Sequence, residues 1–233
     1  MKRSHAASVF VLLVLIPATL YLGTHLKGRW FYLTATLVAI ETMLPFFLLF
    51  ETRRPQAREI VTIAVMCALA VVSRLVILVP NFKPTLAIIM LSGIALGAEA
   101  GFMTGAITAF ASNFFYSQGP WTPWQMLAYG FGGFLAGLVF YGRPRRCKTW
   151  VLSVFAFFAI VLVVGPLLDC SSIFTMASRI SKKYVLAVFA AGFPNNLIHG
   201  LACAVTMVLF SKPLLFKLDR LKSKYGMLDL RDP

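Results

Sequence analysis

The sequence predicts an all-α integral membrane protein with two spans followed by six. Of its 233 residues 59% are hydrophobic and only 13% charged, with a mean hydropathy of +0.82 and 21 Phe. That is more apolar side chain than one soluble core can hide from water. The apolar residues also fall into successive runs, most of them long enough to cross a bilayer. The formal charge of +14 would point to nucleic acid in a soluble domain, but here the basic residues sit between the apolar runs. They are read as topology determinants and as contacts to the anionic lipid bilayer, and no nucleic-acid partner is expected.

A basic head, Met1 to His5, precedes apolar runs from about Ala6 to Leu26 and from Trp30 to Phe50. The first run exceeds the roughly 7–15 apolar residues of a secretory signal, so it is read as a retained span. ETRRPQARE, Glu51 to Glu59, is a polar linker with Pro55 and the clearest boundary in the chain. It divides a two-span extension, 1–52, from a six-span core with a basic tail, 53–233. Core spans are placed at about Ile60 to Val79, Thr85 to Ala98, Gly101 to Tyr116, Thr122 to Tyr141, Thr149 to Leu168 and Tyr184 to Phe210. The segment Asp169 to Lys183 reads as a polar stretch folded over the surface. In this layout fifteen of the 22 Lys and Arg lie on one side and six on the other, with Arg74 inside a span. The positive-inside rule makes the richer side, with both termini, cytoplasmic.

NFFYSQGPWTPWQM, Asn113 to Met126, then lies on the outer side. Pro120 and Pro123 exclude a helix interior there, which leaves a stiff loop. Trp121 and Trp124 offer flat apolar faces with one N–H each, and Asn113, Gln118 and Gln125 offer amides. Two uses fit these residues: an aromatic belt at the membrane surface, or the recognition of a polar ring-bearing molecule. Asn195, Asn196 and His199 in GFPNNLIHGL are a second polar group, at the outer end of the last span. For His199, a helix-packing hydrogen bond and a ligand contact both stay open.

Two charges lie inside spans, Glu41 and Arg74. A charge in hydrocarbon needs a partner, so a Glu41–Arg74 pair joining extension to core is expected, with a ligand contact at Arg74 as the competing use. Small residues recur every four positions at Gly93, Gly97, Gly101, Gly105 and Ala109, and again at Ala128, Gly132 and Ala136. That spacing lets helix backbones approach closely. Ala64 and Ala68 form another such pair near the cytoplasmic end of the third span, where a docking face for a second membrane protein is the alternative to packing.

Catalytic signatures do not emerge. The chain has no GxSxG and no HExxH, and no Gly-Lys dipeptide for a phosphate-binding loop. The four Cys have neither zinc nor disulfide spacing. No enzyme activity, metal or cofactor is expected, and if the protein moves a solute uphill the energy would come from another polypeptide or an ion gradient, with the scarcity of buried carboxylates favouring another polypeptide.

NFKPTLAIIMLSGIALGAEAGFMTGAITAFASNFFYSQGPWTPWQMLAYGFGGFLAG, with the upstream ALAVVSR and the late NNLIHG, resembles the substrate-binding S components of energy-coupling factor (ECF) vitamin transporters. The resemblance covers about Glu59 to Phe210 and makes the fold a six-helix S-component-like core preceded by two extra N-terminal transmembrane helices. It implies a subunit that captures a vitamin-like small molecule outside, docks on a transmembrane coupling subunit (T component) carried by two cytoplasmic ATPases, and reorients to release it inside. ATP is then used by the partner subunits. It also implies docking through Ala64 and Ala68, and a pocket lined from among Phe82, Lys83, Asn113, Gln118, Trp121, Trp124, Gln125, Asn195, Asn196 and His199. Among the vitamins, the GPWTPWQM pattern points first to cobalamin or a related corrinoid, with riboflavin, a pterin or a modified nucleobase precursor open. The reading from another class is a membrane scaffold, in which the space beneath the Trp loop would be packed solid rather than hollow.

Overall fold

A computed structural model describes residues 10–25, 29–52, 55–76, 82–142, 148–176 and 181–226, and among these every regular element is a helix. The chain is an all-α integral membrane protein. A π-helical stretch, Val11–Leu15, leads into α1 (Ile16–His25), which packs as a hairpin on α2 (Arg29–Thr52). Six further helical runs follow: α3 (Ala57–Val76), α4 (Thr85–Leu96), α5 (Ala98–Tyr116), α6 (Thr122–Phe140), α7 (Thr149–Ala159) continued through a π-helical stretch (Ile160–Val164) into α8 (Gly165–Met176), and α9 (Lys182–Tyr225).

The runs Leu33–Thr52, Ala57–Val76, Thr149–Thr175 and Lys182–Tyr225 are long and apolar enough to cross a membrane. α5 and α6 have 19 residues each, about 28 Å at helical rise, close to the hydrocarbon thickness of about 30 Å. α4 has only 12 residues. It is apolar on every side, and eleven of those residues are buried, because α3, α5, α6 and α9 all pack against it. Its far end is set by Gly97 at φ 108°, a conformation a side chain would resist, which lets α5 start one residue later.

Close backbone approach holds α4, α5 and α6 together. A Cβ on Gly133 would fall 2.6 Å from the carbonyl carbon of Gly101, and one on Gly137 2.6 Å from the Cα of Ala98. Without a hydrophobic drive between helices in lipid, such contact is what dispersion forces require. The periodic glycines therefore serve packing, except Gly97, which makes the turn.

α2 packs on α5, α6 and α8, whereas α3 packs on α4 and α5. Phe46 anchors α2, stacked on Phe102 with ring centres 4.1 Å apart and edge-on to Phe131 and Phe134 at 5.4 and 4.9 Å.

Two boundaries differ from expectation. The helix begun at Thr149 does not end at Leu168 but runs on to Met176. Pro166 has no N–H for the preceding turn, and the helix widens into its π-helical stretch just before Gly165 and Pro166, then continues. α9 extends to Tyr225 rather than Phe210, because Ser211, Leu215, Leu218 and Lys222 recur at helical spacing and are buried. Lys222 Nζ donates to the Ala95 carbonyl at the C-terminal end of α4, with Asp219 3.5 Å away. A cation suits that negative helix end.

Candidate functional site

A cavity of about 340 Å³ opens at the end of the bundle that carries the Trp loop. Its size is at the lower end of the range of organic ligand sites, about 300–1,000 Å³. Five segments supply its polar walls: Arg74 from the last turn of α3, Lys83 just before α4, Tyr116 and Gln125 flanking the Trp loop, Asp169, Ser171 and Ser172 from α8, and Asn195, Asn196 and His199 from α9. Tyr129 and Leu168 add ring and aliphatic surface.

Hydrogen bonds fix these groups from behind. Asn113, only 1% exposed, donates from Nδ2 to Gln125 Oε1 at 2.8 Å and to Thr122 Oγ1 at 3.2 Å, and accepts at Oδ1 from Arg74 Nη1 at 3.1 Å. Arg74 Nη1 also donates to Ser112 Oγ. Thr122 Oγ1 in turn donates to Gln118 Oε1 at 2.9 Å, while Gln118 Nε2 donates to the Phe110 carbonyl at 3.0 Å. Gln125 is thereby oriented by the loop and faces the cavity with its amide nitrogen unused by these bonds.

On the other wall Asn196 Nδ2 donates to Asp169 Oδ2 at 2.8 Å. Glycines let the two helices meet there. A Cβ on Gly165 would fall 2.6 Å from Asn196 Nδ2, and one on Gly192 2.6 Å from Asp169 Oδ2. Each glycine sits where the partner helix places a polar side chain.

Of the candidates, Lys83, Gln125, Asn195, Asn196 and His199 line the cavity. Five other candidates do not line it. Asn113 and Gln118 hold the loop and the wall in place. Trp124 is buried and stacked on Phe174, ring centres 5.2 Å apart, in a cluster with Ala39 and Met43 of α2. The Trp121 ring lies over Gly119, and Phe82 is half-buried outside the lining.

Glu41 and Arg74 are not brought together. Ala39 and Met43 point into the core, so Glu41, two residues from each, is turned toward α1 and accepts from Thr19 Oγ1 at 2.7 Å. Arg74 instead lines the cavity, where its competing use as a ligand contact would place it, together with Tyr116, Tyr129, Asp169, Ser171 and Ser172, which the sequence did not nominate. Arg74 alone carried a signal, as a charge inside a span.

Ala64 and Ala68 are exposed on the face of α3 opposite Ile63, Met66, Cys67 and Ala70, which are buried. Beside them an apolar groove of about 510 Å³ runs between α3 and the end of α9, lined by Val61, Val65, Leu69, Leu214, Leu218 and Leu221.

Residues 55–215 match the family described as ECF-type riboflavin transporter, S component. No curated protein and no solved structure matches the chain. The match spans more than half of the sequence, and the chain belongs to this family of substrate-binding ECF transporter subunits.

Proposed function

We propose that this S component captures a flavin-type vitamin in the cavity beneath the Trp loop and delivers it to the inside with a coupling subunit and ATPases. The observation that carries the reading is the cavity itself, a polar hollow of about 340 Å³ at one end of a bundle that is otherwise apolar. A scaffold would be packed solid there. The family's description favours riboflavin chemistry over the corrinoid suggested by the GPWTPWQM pattern, and the volume agrees: a fused three-ring molecule suits it, whereas a corrinoid is much larger.

The cavity end faces outward and both termini face the cytoplasm, a reading supported by the fifteen-to-six distribution of Lys and Arg. Docking falls at the cytoplasmic half of α3. There Ala64 and Ala68 make a shallow step in an exposed apolar surface, and the adjoining groove offers room for apolar side chains of a coupling helix. α1 and α2 pack together, and α2 packs on α5, α6 and α8.

Uptake tests the reading. The protein reconstituted in liposomes with a coupling subunit and its ATPases should accumulate riboflavin only with ATP. The double variant Ala64→Leu and Ala68→Leu should lose at least about tenfold in uptake, a cost of about 1.4 kcal/mol in coupling, while still binding the vitamin. Uptake without ATP, or an unaffected double variant, would overturn the mechanism or the docking face respectively.

A further inference from the structure

Arg74 raises a question that capture of a neutral vitamin does not answer. Its Nη1 is held by Ser112 and Asn113, and its guanidinium carbon lies 4.8 Å from the ring centre of Tyr116 and 5.6 Å from that of Tyr129. Every one of these partners is neutral, and among the described residues no carboxylate lies within ion-pair distance of it. The carboxylate of the cavity wall, Asp169, is bound instead by Asn196. Lys83 lines the same cavity.

A guanidinium this close to hydrocarbon, stabilised among the described residues by neutral groups alone, is costly to keep. Two ring faces and two hydrogen bonds aim it but do not cancel its charge. Among the described residues only Nη1 is engaged, which leaves Nε and Nη2 as a pair of donors suited to a bidentate acceptor.

We propose that the ligand of this cavity carries an anionic group, a phosphate ester or a carboxylate, and that Arg74 binds it. The inference rests on the assignment of the cavity as the substrate site and narrows its substrate class to a ring compound with an acidic appendage. Asn113 becomes a positioning residue, since its carbonyl oxygen holds the guanidinium toward the cavity. Of the two anion chemistries, a phosphate ester offers the larger charge.

The test is a comparison of riboflavin, its 5′-phosphate and its side-chain carboxylic acid, by titration of the purified protein in detergent. A charge-assisted pair implies that at least one acidic flavin binds about 10- to 100-fold more tightly than riboflavin. Which of the two it is distinguishes phosphate from carboxylate. In Arg74→Gln that advantage should shrink to about twofold or less, and Arg74→Lys should keep part of it. Equal or tighter binding of riboflavin to the native protein would overturn the inference, with the flavin reading left standing; this comparison needs no variant to fold.

If no flavin binds, the flavin reading fails and the anion is tested by itself with inorganic phosphate and acetate. A rise in melting temperature over chloride at equal ionic strength, lost in Arg74→Gln or Lys83→Gln, would uphold an anion site. No rise would overturn it.

Discussion

Asn113 has the side-chain chemistry of a ligand contact and uses it inside the protein. Both of its N–H groups and its carbonyl oxygen are engaged by Gln125, Thr122 and Arg74. Removing the amide orphans several buried groups at once, a loss of about 1–3 kcal/mol. Asn113→Ala should therefore lower the melting temperature in detergent and weaken ligand binding together. A variant of unchanged melting temperature with lost binding would instead make Asn113 a direct contact. Residue type was legible in the sequence here, but orientation was not. Asn113, Gln118 and Gln125 are equivalent amides on paper, and only the loop's hydrogen bonds decide that Gln125 alone among them lines the cavity. Glu41 and Arg74 were both legible as charges needing partners. Each finds a separate one, because helical phase turns Glu41 toward α1.

At the scale of the element, the informative departures lie at helix ends. Asp169, Ser171 and Ser172 were read as the start of a surface segment, since a polar residue after an apolar run usually ends a span. The helix instead passes through a π-helical stretch and carries all three to the cavity wall. Gly165 and Pro166 were the sequence signal for that irregularity, but they do not say whether a helix bends or stops. The Trp loop was legible as a stiff non-helical turn from its two prolines. Its function was not, because Trp124 is used to pack α6 against α8 and the extension.

The extension's attachment is a matter of aromatic contact. Each aromatic pair contributes about 0.5–1.5 kcal/mol beyond area, and Phe46 meets three rings. Phe46→Ala should cost about 1–3 kcal/mol, seen as a lower melting temperature, with ligand affinity unchanged because Phe46 does not line the cavity. Loss of affinity at full thermal stability would show that the extension acts on the site.

Over the whole molecule, one end of the bundle is hollow and polar while the other presents an exposed apolar face with small residues. The first is suited to a small molecule and the second to another membrane protein, and α3 contributes to both, through Arg74 at one end and Ala64 and Ala68 toward the other. A polar outer pocket and a docking face at Ala64 and Ala68 were expectations drawn from charge placement and from the resemblance over the core. The size of the cavity and the identity of most of its walls required the helices to be assembled.

Placement of the site beneath the Trp loop, rather than on it, is tested most directly by titrating the purified protein with riboflavin and following quenching of flavin fluorescence. The native protein should bind saturably at one site. Gln125→Ala should weaken binding by about tenfold, as expected for one lost hydrogen bond of about 1.4 kcal/mol, and Trp121→Ala should leave it unchanged. Binding lost with Trp121 and kept without Gln125 would contradict the cavity as the site.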